Sequence, residues 1–526
     1  MPPVVNGPAD PGIELMVARY GASYKWLVMI AGLLGSMSMV LSATMVNVAI
    51  PSIMGAYGVG QDLAQWAATA FLTTMVASQL LNAWMVGAFG QRIVFSFALA
   101  FFCAGSLVGA ASSNIETLIA GRIMQGFSAG LIQPLVLALV VAVFPVARRG
   151  MAVGVYGMGV TLAPSFGPFF GGLAIDAFTW RHIFVAPVPL VMVAFAIGLV
   201  LMPPKGSRIS LPPFNWTGYI LVATALMCIM SYIGNGNRWG WFSDWSMLFL
   251  VVGVSAAVLF VYSQWQSKSP LMDVTLFTDL RFTAAMFIGF AFGAGNFATN
   301  YAIPVFAQTV QGFTPTEAGL VIVPAGLVLI ALVPLSGRMA DRMPSHYPMM
   351  TGCMVFAVAA FLLSTSDVNT PFWTIAAIAV LSRGAIGMVM PNLGKTAMGA
   401  VPADKLNQGA GTYNFIRQMG GAFGVNVTAL SIDMQTAHHA DILVATQTSD
   451  NVESLQVLNR VAKLLHEGGI PEAALQPGAL NYLSEVIYAQ ALTFGFQDSF
   501  FQICFAFCIA FIPAWFLGRA AGRPAS

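Results

Sequence analysis

Apolar side chains run along this chain in about fourteen long stretches of 18 to 28 residues that are almost free of charge, separated by short polar or Pro/Gly-rich segments. A helix needs roughly 20 apolar residues to cross about 30 Å of hydrocarbon. Only helices and closed barrels satisfy every backbone polar group there. Barrel strands would alternate apolar and polar with a period of two, and these stretches do not, so the pattern predicts an all-α polytopic membrane protein. Spans are expected near 25 to 50, 65 to 88, 93 to 112, 116 to 143, 150 to 172 and 183 to 202. Two more follow near 215 to 234 and 246 to 264, then six near 281 to 309, 316 to 338, 347 to 365, 371 to 393, 408 to 432 and 499 to 519.

This six-plus-two-plus-six order divides the chain into a terminal segment (1–24), a six-helix bundle (25–202), two added helices with their linkers (203–280), a second six-helix bundle (281–519) and a tail (520–526). Internal similarity points to duplication: Gly130 and Pro134 follow Arg122 in the fourth helix, and Gly387 and Pro391 follow Arg383 in the tenth helix of a twelve-helix repeat scheme. Gly87 and Ala88 precede the first set, as Gly337 to Arg342 precede the second. A longer connection, 434–498, carries apolar faces at Val452 to Leu465 and Leu480 to Leu492, predicting a pair of short amphipathic helices on the bundle or the membrane surface.

Only 22 Lys and Arg and 20 Asp and Glu occur in 526 residues, and their placement says more than the net charge of +2. Basic residues such as Arg19, Lys25, Arg92, Arg148, Arg149, Lys205, Lys405 and Arg523 gather in one set of short loops, against Arg181 and Arg238 in the other. Basic loops stay cytoplasmic, so both termini are expected inside. No basic stripe supports nucleic-acid binding. All five cysteines lie in apolar runs, as small buried hydrophobes rather than a disulfide framework. The first 23 residues lack the layout of a removable signal peptide.

Candidate chemistry is sparse. A charge at the bilayer centre costs at least about 2.5 to 3.5 kcal/mol, so Arg122, Arg383 and Arg417 are functional candidates, with Glu317 near a helix end. Asn47, Gln125, Gln133, Asn296, Asn300, Tyr413 and Asn414 interrupt apolar helices at mid-depth and, with Arg417, are candidates to line a substrate cavity. Within the fifth helix Gly159, Pro164, Gly167, Pro168, Gly171 and Gly172 combine close approach with bending, as expected of a hinge. Arg338, Asp341 and Arg342 read as a latch at a loop. A phosphate-cradling loop is missing before Gly394 and Lys395, since Val389 replaces its first glycine. His438, His439 and His466 have no metal-ligand spacing, so neither an ATP-driven pump nor an enzyme nor a metal site is expected.

Taken together, Gln65 and Trp66, Arg122 with Gln125 and Gly126, Gly159 to Gly172, Trp180 and Arg181, Trp239 to Trp241, Gly337 to Arg342, and Asn414 to Gly421 resemble the fourteen-helix drug:proton antiporter branch of the major facilitator superfamily, the EmrB/QacA type. The resemblance spans Leu41 to Phe516 and implies multidrug efflux by alternating access, driven by a proton gradient without a cofactor, with Arg122 in the coupling machinery. It also implies a bacterial inner membrane and either action alone, as in many relatives, or, as an alternative, the role of inner-membrane subunit of a tripartite pump with a periplasmic adaptor and an outer-membrane channel as partners. Two departures stand out. Ser42 occupies the acidic position of the first helix, and Gly87 and Ala88 stand where the first loop has Asp and Arg. Guanidinium groups without a central carboxylate predict neutral or weakly acidic lipophilic substrates rather than cations. Uptake or facilitated diffusion on the same fold is the alternative.

Overall fold

The computed structural model describes residues 11–145, 148–205, 213–267, 269–402, 405–448 and 450–521, and every regular element among them is helical. The first half comprises α1 (Pro11–Tyr20), α2 (Tyr24–Tyr57), a single turn α3 (Gln61–Ala64), α4 (Trp66–Phe89), α5 (Gln91–Ala110), α6 (Ile115–Val143), α7 (Arg149–Ala177), the short α8 (His182–Val185) and α9 (Val188–Leu201). Two added helices follow, α10 (Trp216–Trp239) and α11 (Asp244–Gln266). The second half holds α12 (Leu280–Thr309), α13 (Pro315–Leu320), α14 (Val323–Arg342), α15 (His346–Ser364), α16 (Phe372–Gly399), α17 (Leu406–Ala445), α18 (Val452–Glu467) and α19 (Glu472–Ala521). Side-chain caps set several starts: Asn114 accepts from the Thr117 N–H, Asn215 from Gly218, and Asp279 from Arg281 and Phe282.

Twelve described stretches are long and apolar enough to cross a membrane. Helices α4 and α17, 24 and 40 residues long, fit the remaining two of the predicted fourteen. Both are more polar because they are buried: α4 hides Thr69, Thr73 and Asn82, and α17 hides Thr412, Gln418 and Asn426. The chain is thus a multi-pass membrane protein. Its outer surface is apolar, and on α11 Trp245 and Trp265 are 67% and 78% exposed. Their twenty-residue separation spans about 30 Å, matching aromatic belts at the two faces of a bilayer.

The two halves repeat one packing scheme. In the first, α2 packs on α7, α4 and α5 on α6, and α9 on α2 and α5. In the second, α12 packs on α17, α14 and α15 on α16, and α19 on α12 and α15. That correspondence makes α7 the counterpart of α17 and α6 the counterpart of α16. The α10–α11 pair packs against both halves through α4 and α17.

Three expectations change. The sixth predicted span breaks into α8 and α9 around Pro187, which has no N–H to donate, and the tenth breaks between α13 and α14 just before Pro324. Of the predicted pair of short amphipathic helices the first is found as α18, packed on α19, whereas α17 continues to Ala445 and the second segment is the start of the 50-residue α19. The polar residues there mark where the helix leaves the apolar zone, not where it ends. No glycine or proline lies between Ala479 and Phe494 to stop it. At about 1.5 Å per residue α19 is about 75 Å long, well beyond a bilayer.

Candidate functional site: the interface between the halves

Helix α7 carries the Gly/Pro segment and lies where the halves cross. A β-carbon on Gly171 would meet Met45 of α2, and one on Gly172 would fall on the Pro315 carbonyl of α13. Reciprocally, a β-carbon on Gly319 of α13 would fall on the Pro168 carbonyl, and one on Gly326 on Ser165. Each backbone therefore reaches the other only through glycine. Gly159 and Gly167 face Leu33 and Thr44 of α2, and Pro164 and Pro168 lie inside α7 without ending it. Further bonds join the halves toward the end of the bundle where α2 stops: Asp176 accepts the Thr316 N–H at 2.9 Å, Gln61 donates to the Tyr301 hydroxyl at 3.2 Å, and Asn47 donates to the Asn300 carbonyl at 3.1 Å.

Arg122 is fully buried on α6. Its Nε donates to the Ala67 carbonyl, and Nη1 donates to Gln125 Oε1 at 2.8 Å and to the Ser42 carbonyl and hydroxyl, each at 3.3 Å. The guanidinium lies over the Phe71 ring, 4.3 Å from its centroid. Gln125 in turn donates to the Ser106 hydroxyl at 2.8 Å. The residue at the family's acidic position, Ser42, therefore sits against this guanidinium but brings no charge. Ser106 and Phe71 were missed by sequence reasoning, being ordinary residues whose role comes only from facing α6.

Arg383 on α16, the counterpart helix, is 2% exposed. Its Nη1 donates to the side-chain and backbone oxygens of Asn296 on α12, while its Nε and Nη2 have no hydrogen-bond partner among the described residues. Asn300, one turn on, donates to Asn296 Oδ1 at 3.5 Å. Since Asn47 bonds the Asn300 backbone, Asn47, Asn296, Asn300 and Arg383 form one polar line from α2 to α16. Among the described residues the ion pairs are Lys405–Asp273, His439–Asp498 and Lys463–Glu467, so neither buried arginine has a carboxylate partner.

Gln133 accepts from Gln418 across the halves at 3.2 Å. Gln418 lay in the resemblance motif without being assigned to the cavity. Tyr413 bonds the Met390 sulfur at 3.7 Å, Asn414 donates to the Ala410 carbonyl, and Arg417 reaches Asn414 at 3.5 Å. These three form a separate cluster on α17. Glu317 accepts from the Thr314 N–H and hydroxyl and completes a capping box at the start of α13, an exposed structural task. The side chains of Arg338, Asp341 and Arg342 lie outside the described residues. Among the described residues no group of three His, Cys, Asp or Glu is placed to hold a metal.

Two pseudo-repeated six-helix bundles with glycine-lined crossing helices and buried polar groups between them define a membrane transporter of the two-bundle class. The model of the Major Facilitator Superfamily matches residues 32–425, and the chain belongs to that family. It is 25% identical to the multidrug export protein EmrB of Haemophilus influenzae over 490 residues, covering 92% of this chain and 94% of that protein. It is 27% identical over 409 residues to the lincomycin resistance protein LmrB of Listeria monocytogenes, covering 78% and 85%. The solved peptide transporter POT in complex with sulfate shares the fold, with a TM-score of 0.61 at 13% identity over 96% of this chain and 99% of that one.

Proposed function

We infer that the chain is a secondary active multidrug exporter of an inner membrane, with both termini cytoplasmic, moving lipophilic neutral or weakly acidic compounds by alternating access in exchange for protons. The observation that carries the substrate class is the pair of buried arginines, Arg122 and Arg383, hydrogen-bonded only to neutral groups. Opposite charges attract strongly where screening is poor, and like charges repel equally, so the interface favours anions and neutral molecules over permanent cations. Relatives named as multidrug export and resistance proteins support efflux. The likeness to EmrB makes a periplasmic adaptor and an outer-membrane channel candidate partners, for which the exposed start of α19 offers a surface. Facilitated diffusion or uptake is the second reading, favoured by the uncharged Ser42 beside Arg122.

Purified protein in liposomes with an imposed pH gradient tests this. Accumulation of a neutral or weakly acidic dye against its own gradient, with ethidium handled poorly, is the expected result. Mere equilibration selects the facilitator, and ethidium as the best substrate overturns the substrate class.

A further inference from the structure

The two buried arginines differ in what they leave open. Arg122 commits Nε and Nη1 to four protein acceptors, leaves Nη2 alone unpartnered among the described residues, and stacks on Phe71, so it has no free edge of two parallel donors. Arg383 commits Nη1 alone. Its unpartnered groups are Nε and Nη2, the two parallel N–H donors of one guanidinium edge. That edge matches the two oxygens of a carboxylate, a charge-assisted bidentate pairing of opposite ions. Leaving such donors buried without an acceptor is unfavourable, and more so for a charged group. Depth separates the two as well. Arg122 follows the start of α6 by seven residues, about 10 Å of rise, whereas Arg383 follows the start of the 28-residue α16 by eleven, about 17 Å and near the middle of its helix. Beside it the side-chain oxygens of Asn300 and Asn47 are likewise buried and unpartnered, and both belong to the line that joins the halves.

We propose that Arg383 is the carboxylate receptor of the transport site: its Nε and Nη2 edge takes a substrate carboxylate in bidentate fashion, Asn296 holds the guanidinium in plane, and Asn47 and Asn300 accept from donor groups elsewhere on the substrate. Arg122 is a positioning group for α2, α4 and α6. This rests on the weak-acid reading above and assigns its recognition to one residue. A bound carboxylate supplies the acceptors that Arg383 lacks, and does so beside the contact between α2 and α12, so occupancy and the closeness of the halves are coupled.

The test uses a matched pair, tritiated 1-naphthaleneacetic acid and 1-naphthaleneacetamide, binding to the purified full chain at a pH where the acid is ionised. The wild type is expected to bind the acid at least about tenfold more tightly than the amide, as a charge-assisted bidentate bond implies. Arg383→Gln and Asn296→Asp, the second placing a fixed carboxylate against the guanidinium, are expected to bring that ratio near one. Arg383→Lys, with charge but no planar edge, should fall between. Because Asn296→Asp keeps the arginine, folding failure in Arg383→Gln leaves the test standing. Equal wild-type binding of acid and amide overturns this inference alone. Binding of neither compound removes the weak-acid reading with it, and a ratio that survives both substitutions assigns the carboxylate to another group and overturns the proposal.

Discussion

Ser42 shows most plainly how one residue changes the chemistry. Its hydroxyl sits 3.3 Å from Arg122 Nη1, so an acid there would make a direct buried ion pair. Ser42→Asp is expected to neutralise that guanidinium and raise transport of permanent cations at least severalfold over the wild type, while acid-over-amide selectivity, set at Arg383, remains. Ethidium efflux measured beside the acid-to-amide binding ratio checks both. Removing the guanidinium is a different matter. Arg122→Ala strands Gln125 and opens space against Phe71, and each buried polar group left unpaired is unfavourable by about 1–3 kcal/mol, so thermal stability should fall and acid-over-amide selectivity should remain with whatever protein folds. A residue-level reading of the sequence finds Arg122, Gln125, Asn296 and Asn300 because polar groups in apolar helices are conspicuous. Ser106 and Phe71 were illegible, since serine and phenylalanine are normal in such helices. Glu317 attracted notice for its charge, and a capping box accounts for that charge. The Thr314 to Glu317 spacing carries the signal that could have found it.

At the scale of elements, the charge-free runs mark spans well, and helix ends in the polar connections poorly. The join of the segment after Pro477 to the last span was hidden because hydropathy reports the solvent of a helix, not its continuity. The Gly/Pro segment of α7 was legible as a packing element, whereas its partner could not be read: nothing in the local sequence says that Gly172 meets Pro315 while Gly319 meets Pro168. Gly172→Val should therefore force α7 and α13 apart. The expected outcome is loss of transport with increased labelling of cysteines placed at the end of the bundle where α2 stops, and unchanged labelling would contradict that role for the crossing. Outside the spans, Asp273 precedes a short turn ahead of α12 and bonds Lys405 at 2.7 Å. Burial pushes its carboxyl upward, but hydrogen bonds from Lys405 and Thr275 outweigh burial and hold it below its ordinary value. A depressed folded value contributes stability above the unfolded value, lost as pH falls through the folded one. The melting-temperature difference between wild type and Asp273→Asn should accordingly be present at neutral pH and vanish in acid below the usual carboxylate range. A difference independent of pH would place the effect in packing.

Over the whole molecule, the repeated pairing of α2 with α7 and of α12 with α17 gives two similar bodies that meet through α7 with α13 and α14, α4 with α17, and α2 with α12. Side-chain bonds at Gln61, Asn47 and Asp176 join those bodies toward one end, and the bond from Gln418 to Gln133 joins them farther along α6. Such bodies can exchange that closed end for the opposite one by rocking about α7 and α13, with little repacking inside either half. Duplication was legible from the arginines and Gly–Pro pairs, but their registers differ. Gly130 lies eight residues past Arg122 and Gly387 four past Arg383, so the second arginine sits one turn nearer its proline. The structure gives that shift a consequence, since it places Arg383 near the middle of α16.

The most direct test is a distance. Ser113 and Asn369 are exposed in the α5–α6 and α15–α16 connections of the two halves, at the end where α2 stops. With the native cysteines replaced and these two positions changed to cysteine and spin-labelled, double electron–electron resonance in liposomes should show a short distance at rest and a second, longer one whose population changes with a pH gradient or an acid substrate. A single distance that neither condition alters would contradict alternating access in this protein.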